Sequence, residues 1–212
     1  MKAQIVVVGA GGFGREALDV AQAMQAEDST IEVLGVVDDA PSEVNLGRLD
    51  ARGVPYLGTI TQWLEMNRSA GYVIGIGSPA VRQSVAARFD RQGRTAHTLV
   101  HPSAQLGSAI SIGDGTVICA AAVISTNVIL GRHVHLNPNC TVGHDTSLGD
   151  FVSVNPAAVI SGDCRVDDGV LVGANATILQ GLNVGERALV GAAACVIRSV
   201  IPGAVVKGIP AK

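Results

Sequence analysis

From Leu106 onward an aliphatic residue recurs at every sixth position without a slip of register: Leu106, Ile112, Ile118, Ile124, Leu130, Leu136, Val142, Leu148, Val154, Ile160, Val166, Val172, Ile178, Val184, Val190 and Val196. Two residues before most of them stands a small or β-branched residue, as at Ala104, Thr116, Ala122, Val128, Val134, Cys140, Thr146, Val152 and Ala158. Positions i−2 and i face the same way on a strand. Each hexad therefore predicts a short strand with two inward residues, then a turn. Gly follows the aliphatic in eight of the sixteen hexads and is expected to ease that turn. A period of six with three flat sides per turn predicts a triangular parallel β-helix of 18 residues per coil. Sixteen hexads give about five coils, or roughly 25 Å at the ~4.8 Å spacing of strands.

The outward positions differ by face. One row reads Val123, Thr141, Val159, Thr177, Cys195; a second reads Val117, His135, Ser153, Leu171, Leu189; a third reads Ser111, Ile129, Ser147, Arg165, Asn183. Two rows are richer in apolar or β-branched groups, and such faces need covering. A homotrimer in which each prism shares two faces would cover them.

Residues 1–97 follow another pattern. "IVVVG" reads as a buried strand, "GAGGFG" (Gly9–Gly14) as a loop, "REALDVAQAMQA" as a helix and "EVLGVVDD" as a second strand ending at Asp38 and Asp39. "TITQWLEMN" reads as a short helix, "YVIGIG" as a third strand and "PAVRQSVAARFDRQG" as a helix. This is a βαβαβα parallel sheet. The expected division is 1–97, a Rossmann-like half-fold, and 98–212, the β-helix.

"GAGGFG" between strand and helix satisfies G-x-G-x-x-G, which offers backbone N–H groups to phosphates at a helix N-terminus. NAD is the familiar ligand of that loop. A dinucleotide fold uses two mononucleotide halves, however, and this unit supplies one. A single nucleotide or nucleotide sugar fits it better. The bland alternative is that these glycines only pack the helix on the sheet.

Composition narrows the partners. Fifteen Lys+Arg against eighteen Asp+Glu give a net charge of −3, which argues against non-specific nucleic-acid binding and a basic membrane patch. No apolar run approaches the ~18 residues of a membrane span, and the apolar run near the N-terminus is too short for a signal peptide. A cytoplasmic location is expected. The four cysteines, Cys119, Cys140, Cys164 and Cys195, show no CxxC spacing and read as reduced, buried, small hydrophobes.

The candidate chemistry lies in "CTVGHDTSLGD", Cys140 to Asp150. His144 falls two residues past inward Val142, hence at a corner and pointing out. Histidine exchanges protons near neutral pH, and the neighbouring Asp145 would fix its tautomer. Gly162, one coil on, leaves room beside the ring and a backbone N–H for an oxyanion. Of the other histidines, His97 and His101 lie at the domain junction and His133 at a turn. His135, expected to point outward on an apolar face, is the rival.

The motifs "VVVGAGGFGRE", "VVDD", "IGIGSPAVR", "HPSA", "NPNCTVGHD", "GDFVSVNPAAVISG" and "GIPAK" together resemble the sugar O/N-acetyltransferase family of the sialic-acid and bacillosamine type, across essentially the whole chain. The resemblance implies a left-handed β-helix and acetyl-CoA as co-substrate, with no metal. It implies transfer to an amino group of a nucleotide-activated amino sugar in glycan biosynthesis, at sites between the subunits of a trimer. It implies His144 as general base and Asp145 as its acidic partner. Gly11, Gly12, Phe13, Asp38, Asp39 and Gly77 match the family's nucleotide-sugar contacts, although members often carry His where Phe13 stands. Ser153 stands where some members place a His against acetyl-CoA. Gly173, Ala174, Gly191 and Ala192 match main-chain contacts to the cofactor. Alternatives are O-acetylation of a sialic acid or similar sugar, and a non-catalytic nucleotide-sugar-binding trimer.

Overall fold

A computed structural model describes residues 3–27, 31–66 and 69–212. Asn67, the last residue of "TITQWLEMN", lies outside the described residues. The chain divides into two compact units, 1–102 and 103–212. Residues 98–102 stay with the first unit, where the Val100 N–H donates to Met24 Sδ at 3.3 Å.

The first unit is a three-stranded parallel sheet in the order β2–β1–β3, built from β1 (Ala3–Val8), β2 (Ile31–Val37) and β3 (Gly71–Ile74). Ile5 to Val8 and Tyr72 to Ile74 are fully buried, which explains why the strands read as unbroken apolar runs. The helices are α1 (Gly12–Glu27), α2 (Glu43–Asp50), α3 (Ile60–Glu65) and α4 (Pro79–Asp90). α3 starts with a reciprocal cap: Thr59 Oγ1 accepts from Gln62 N–H at 3.2 Å, and Gln62 Oε1 accepts from Thr59 N–H at 2.9 Å. α2 was not expected. Ser42 caps it, but only Leu49 along it is buried, so it carries no apolar period to read.

The second unit is a left-handed parallel β-helix, with two-residue strands stacked at a spacing of 18 residues. Each of the sixteen expected aliphatics is the second residue of such a strand, and all from Ile118 to Val196 are at most 2% exposed. Leu106 is 43% exposed, at the start of the stack. The stack runs past the sixteenth hexad: Val200 bridges to Val184, and Val205–Val206 pairs with Leu189–Val190.

The glycines act differently from the expectation. The left-handed φ of each corner falls three residues after the aliphatic, and mostly on residues with side chains: Asn127, Asp145, Asp163, His133 and Ala157 all lie at φ 53–58°. The glycine directly after the aliphatic serves close approach instead. A Cβ on Gly143 would lie 2.5 Å from Gly162 N, and one on Gly113 would lie 2.5 Å from the Gly131 carbonyl. At these positions the glycine lets one coil settle on the next.

The outward rows also depart from expectation. Val117, His135 and Ser153 are at most 2% exposed, and only Leu171 and Leu189 further up that row emerge. Alternation along a strand fixes where a side chain points, but it does not say what lies over that face. In the first row Val123 and Val159 are each 37% exposed, and Ile129 on the polar row is 58% exposed.

All four cysteines are free. Three are buried, and burial pushes the Cys140 thiol up to about 12, which suits inert packing. Among the described residues no helix is long and apolar enough to cross a membrane.

Candidate active site and nucleotide loop

His144 and Asp145 stand at the corner after the Thr141–Val142 strand. The His144 Nδ1 lies 2.7 Å from Asp145 Oδ2. Side chains adjacent in sequence normally diverge. Here the left-handed turn at Asp145, φ 58°, swings its carboxylate onto the ring of the preceding residue. Hydrogen bonds from His144 and from Asn127 hold the Asp145 carboxyl below its ordinary range. The His144 side chain is 61% exposed, so Nε2 is left to meet solvent or substrate.

The ring lies over Gly162. A Cβ there would meet His144 Nε2 at 2.5 Å and Cε1 at 2.6 Å. The room that the sequence leaves beside the histidine is therefore occupied by its own imidazole, with Gly162 as floor. The coils are tied at this corner by Asp145 N–H to the Thr126 carbonyl, at 3.1 Å, and Asp163 N–H to the His144 carbonyl, at 2.8 Å.

The other histidines lead elsewhere. His133 is fully buried at φ 53°, and its ring stacks on Phe151 with centroids 5.3 Å apart. His135 is 1% exposed, so it is not the solvent-facing rival expected. Ser153 pairs in register with His135 and is 2% exposed, so its side chain is buried in this chain.

Ala174 and Ala192 stand two residues past Val172 and Val190, at corners of the sheet that contains His135 and Ser153. His144 belongs to the sheet that runs through Val123, Thr141 and Val159. Within one chain, the His144 corner and the Ala174–Ala192 corner are different edges of the prism. A Cβ on Gly173 would lie 2.5 Å from Ala192 N, while a Cβ on Gly191 would meet Lys207 Cβ at 2.9 Å.

In the first unit the glycines of "GAGGFG" divide the labour. Gly9 has φ 109° and donates to the Val37 carbonyl at 2.8 Å. A Cβ on Gly14 would lie 1.8 Å from the Gly9 carbonyl oxygen, and one on Gly75 would lie 2.4 Å from Gly14 Cα. This pair lets the start of α1 close onto the sheet. Gly11 and Gly12, and Gly77 after β3, have nothing within 4 Å of an added Cβ. Their backbone is open to a ligand, and Gly12 and Phe13 begin α1.

Asp38 and Asp39 follow β2, but their carboxylates are engaged. Asp38 Oδ2 accepts from Ala10 N–H at 2.8 Å and Oδ1 from Ala40 N–H at 2.9 Å. Arg15 donates to the Ala10 carbonyl at 2.9 Å, so the loop is gripped from both sides. Asp39 accepts from Ile60 N–H, at the start of α3, at 2.9 Å and pairs with Arg88. The sequence suggested these acids as ligand contacts and did not show that they also build the loop. Arg82, fully buried, was missed; it donates to the Ile76 carbonyl at 2.8 Å and shapes the turn after β3. Burial draws its proton affinity down to about 9.

Residues 4–89 match the PglD N-terminal domain family. A GDP-perosamine N-acetyltransferase of Escherichia coli O157:H7 is 30% identical over 140 residues, 66% of this chain and 61% of the relative, so the match spans about three fifths of that protein's length. PerB from Caulobacter crescentus, solved in complex with CoA and GDP-perosamine, superposes with a TM-score of 0.88 at 25% identity, covering 99% of this chain and 96% of that one. The acetyltransferase domain of PglB from Neisseria gonorrhoeae, in complex with acetyl coenzyme A, gives a TM-score of 0.85 at 27% identity, covering 100% and 99%. In sequence over about two thirds of its length, and in fold along essentially all of it, this chain is similar to nucleotide-sugar N-acetyltransferases of the perosamine and bacillosamine type.

Proposed function

We propose that the protein transfers an acetyl group from acetyl-CoA to the amino group of a nucleotide-activated amino sugar. The observation that carries this reading is the His144–Asp145 pair, 2.7 Å apart at an exposed corner with its ring over Gly162. The first unit holds the nucleotide through the open backbone at Gly11 and Gly12. The free amine attacks the thioester carbonyl, and His144 Nε2 takes the proton that the nitrogen sheds. Nδ1–H, held by Asp145, keeps Nε2 as the acceptor and stabilises the imidazolium. The Gly162 N–H steadies the oxyanion. Collapse of the tetrahedral intermediate breaks the C–S bond, and the imidazolium returns its proton to the departing thiolate.

The edges of the prism support a site shared between chains. One copy carries Ala174, Ala192 and His144 on separate edges, and a thioester held between two copies would bring them to one site. Half-exposed Val123, Val159 and Leu189 supply apolar surface for that contact. Light scattering is expected to give three copies of the 21.6 kDa chain. Val159→Asp with Leu189→Asp is expected to yield inactive monomers. A fully active monomer would refute the shared site.

The reaction is tested by following free thiol release from acetyl-CoA in the presence of GDP-perosamine, the ligand of the Caulobacter neighbour, and of UDP- and dTDP-linked amino sugars. Turnover of an amino sugar supports the reading. Turnover only of a sialic acid hydroxyl makes the protein an O-acetyltransferase, and nucleotide binding without thiol release makes it a binding module.

A further inference from the structure

Asn127 lies one coil below Asp145, eighteen residues earlier in the chain, and its Nδ2 donates to Asp145 Oδ1 at 3.0 Å. The other carboxylate oxygen, Oδ2, is the one that meets His144 Nδ1. The two oxygens are thus divided, one to each partner. We propose that Asn127 is a positioning residue for the acid–base pair, acting on His144 through Asp145; the proposal rests on the reading of His144 as the base.

The need for such a residue follows from exposure. The Asp145 side chain is 51% exposed. A carboxylate there with one partner turns freely about its last torsion, which is broad and roughly two-fold, and exchanges that partner for water. A second anchor on the opposite oxygen restricts the torsion and presents Oδ2 to the imidazole. Only the NH2 group of Asn127 can donate to a carboxylate, so the amide orientation is determined. Asn127 is itself held: its backbone is left-handed, φ 56°, and its N–H donates to the Ser108 carbonyl at 3.0 Å. The stacking of coils therefore supplies the register of the contact, and nothing mobile intervenes.

The consequence concerns the tautomer. With Asp145 fixed, the ring proton stays on Nδ1 and Nε2 remains unprotonated toward the substrate. Without Asn127 the carboxylate swings away, and the ring drifts toward the opposite tautomer, in which Nε2 carries the proton and cannot accept another.

Asn127→Ala removes the anchor and leaves the corner intact, because Ala109, one coil further down, already occupies the same left-handed conformation at φ 55°. The test uses the full chain labelled with ¹⁵N at histidine. The His144 ring resonances are identified by their loss in His144→Ala. Wild type is expected to show mainly the Nδ1–H tautomer at neutral pH, and Asn127→Ala a shift toward Nε2–H. With acetyl-CoA and a turned-over amino sugar, kcat is expected to fall about three- to tenfold while both KM values stay within about twofold, the scale of one typical net hydrogen bond. In an Asp145→Ala background, adding Asn127→Ala is expected to change neither the tautomer nor kcat. An Asn127→Ala protein with the wild-type ¹⁵N pattern overturns the proposal. Full turnover by His144→Ala instead refutes the base assignment, and the ¹⁵N comparison still judges the positioning.

Discussion

Replacing His144 with alanine is expected to slow acetyl transfer by about 10²–10⁴-fold, the usual worth of general-base catalysis, with melting and assembly unchanged. The side chain is largely exposed, so removing it empties no core. Asp145→Asn is expected to cost less, because the base remains and only its partner weakens. The Asp145 carboxyl is held below its ordinary range by His144 and Asn127, so it stays ionised through the usual carboxylate range and is protonated only as pH falls below that range. Gly162→Ala gives an independent check. The added methyl would meet the imidazole at 2.5–2.9 Å, and an exposed ring gives way more easily than a stacked coil. Most of kcat is expected to be lost with little change in melting. Wild-type kcat in His144→Ala would remove the histidine from the mechanism.

Gly14→Ala is expected to destabilise the first unit by about 3 kcal/mol or more, at or above the upper end of overpacking costs. The Cβ would sit 1.8 Å from the Gly9 carbonyl oxygen, with Gly75 behind it. Neither is the tip of a flexible side chain, so α1 must lift off the sheet. For a unit of about 100 residues that corresponds to a fall in Tm of roughly 12 °C or more. Gly12→Val offers the contrast. Nothing lies within 4 Å of a Cβ there, so Tm is expected to hold. Calorimetry is expected to show weaker binding of a nucleoside diphosphate by this variant, with no heat from NAD in either protein. An unchanged melting curve for Gly14→Ala would mean that the loop relaxes away from α1, and tight NAD binding would overturn the single-nucleotide reading.

The β-helix was legible because one packing constraint repeats. Every sixth residue must enter a narrow interior, and the sixteen aliphatics from Leu106 to Val196 record that demand directly. The His144–Asp145 pair was legible for a related reason: the period assigns each residue to a strand or a corner. What the period does not record is what covers a face. His135 and Ser153 point outward from the strand and are nevertheless buried. Nor does it give the partners of a polar side chain. Asp38 and Asp39 stand at the carboxyl edge of β2 as ligand residues would, yet each is bonded to backbone of its own unit. α2 stayed hidden because a helix that buries only Leu49 leaves no stripe. Asn127 was passed over because its meaning lies eighteen residues away.

The stacking also turns chain length into a rotary index. Every six residues advance the chain by one edge of the prism, and every eighteen return it to the same edge one step higher. Losing one hexad between His144 and Gly162 preserves the aliphatic interior, since Val166 takes the place of Ile160. It carries Asp168 into the place of Gly162, however, and sets a carboxylate where the imidazole now rests on bare backbone. Gaining one hexad there brings Pro156 to the same place. Loss or gain of whole coils beyond Gly162 leaves the pair and its floor together. Among descendants of such a chain, length is therefore free to drift in steps of eighteen on either side of the site, while steps of six within it exchange the chemistry of the corner and leave the fold standing.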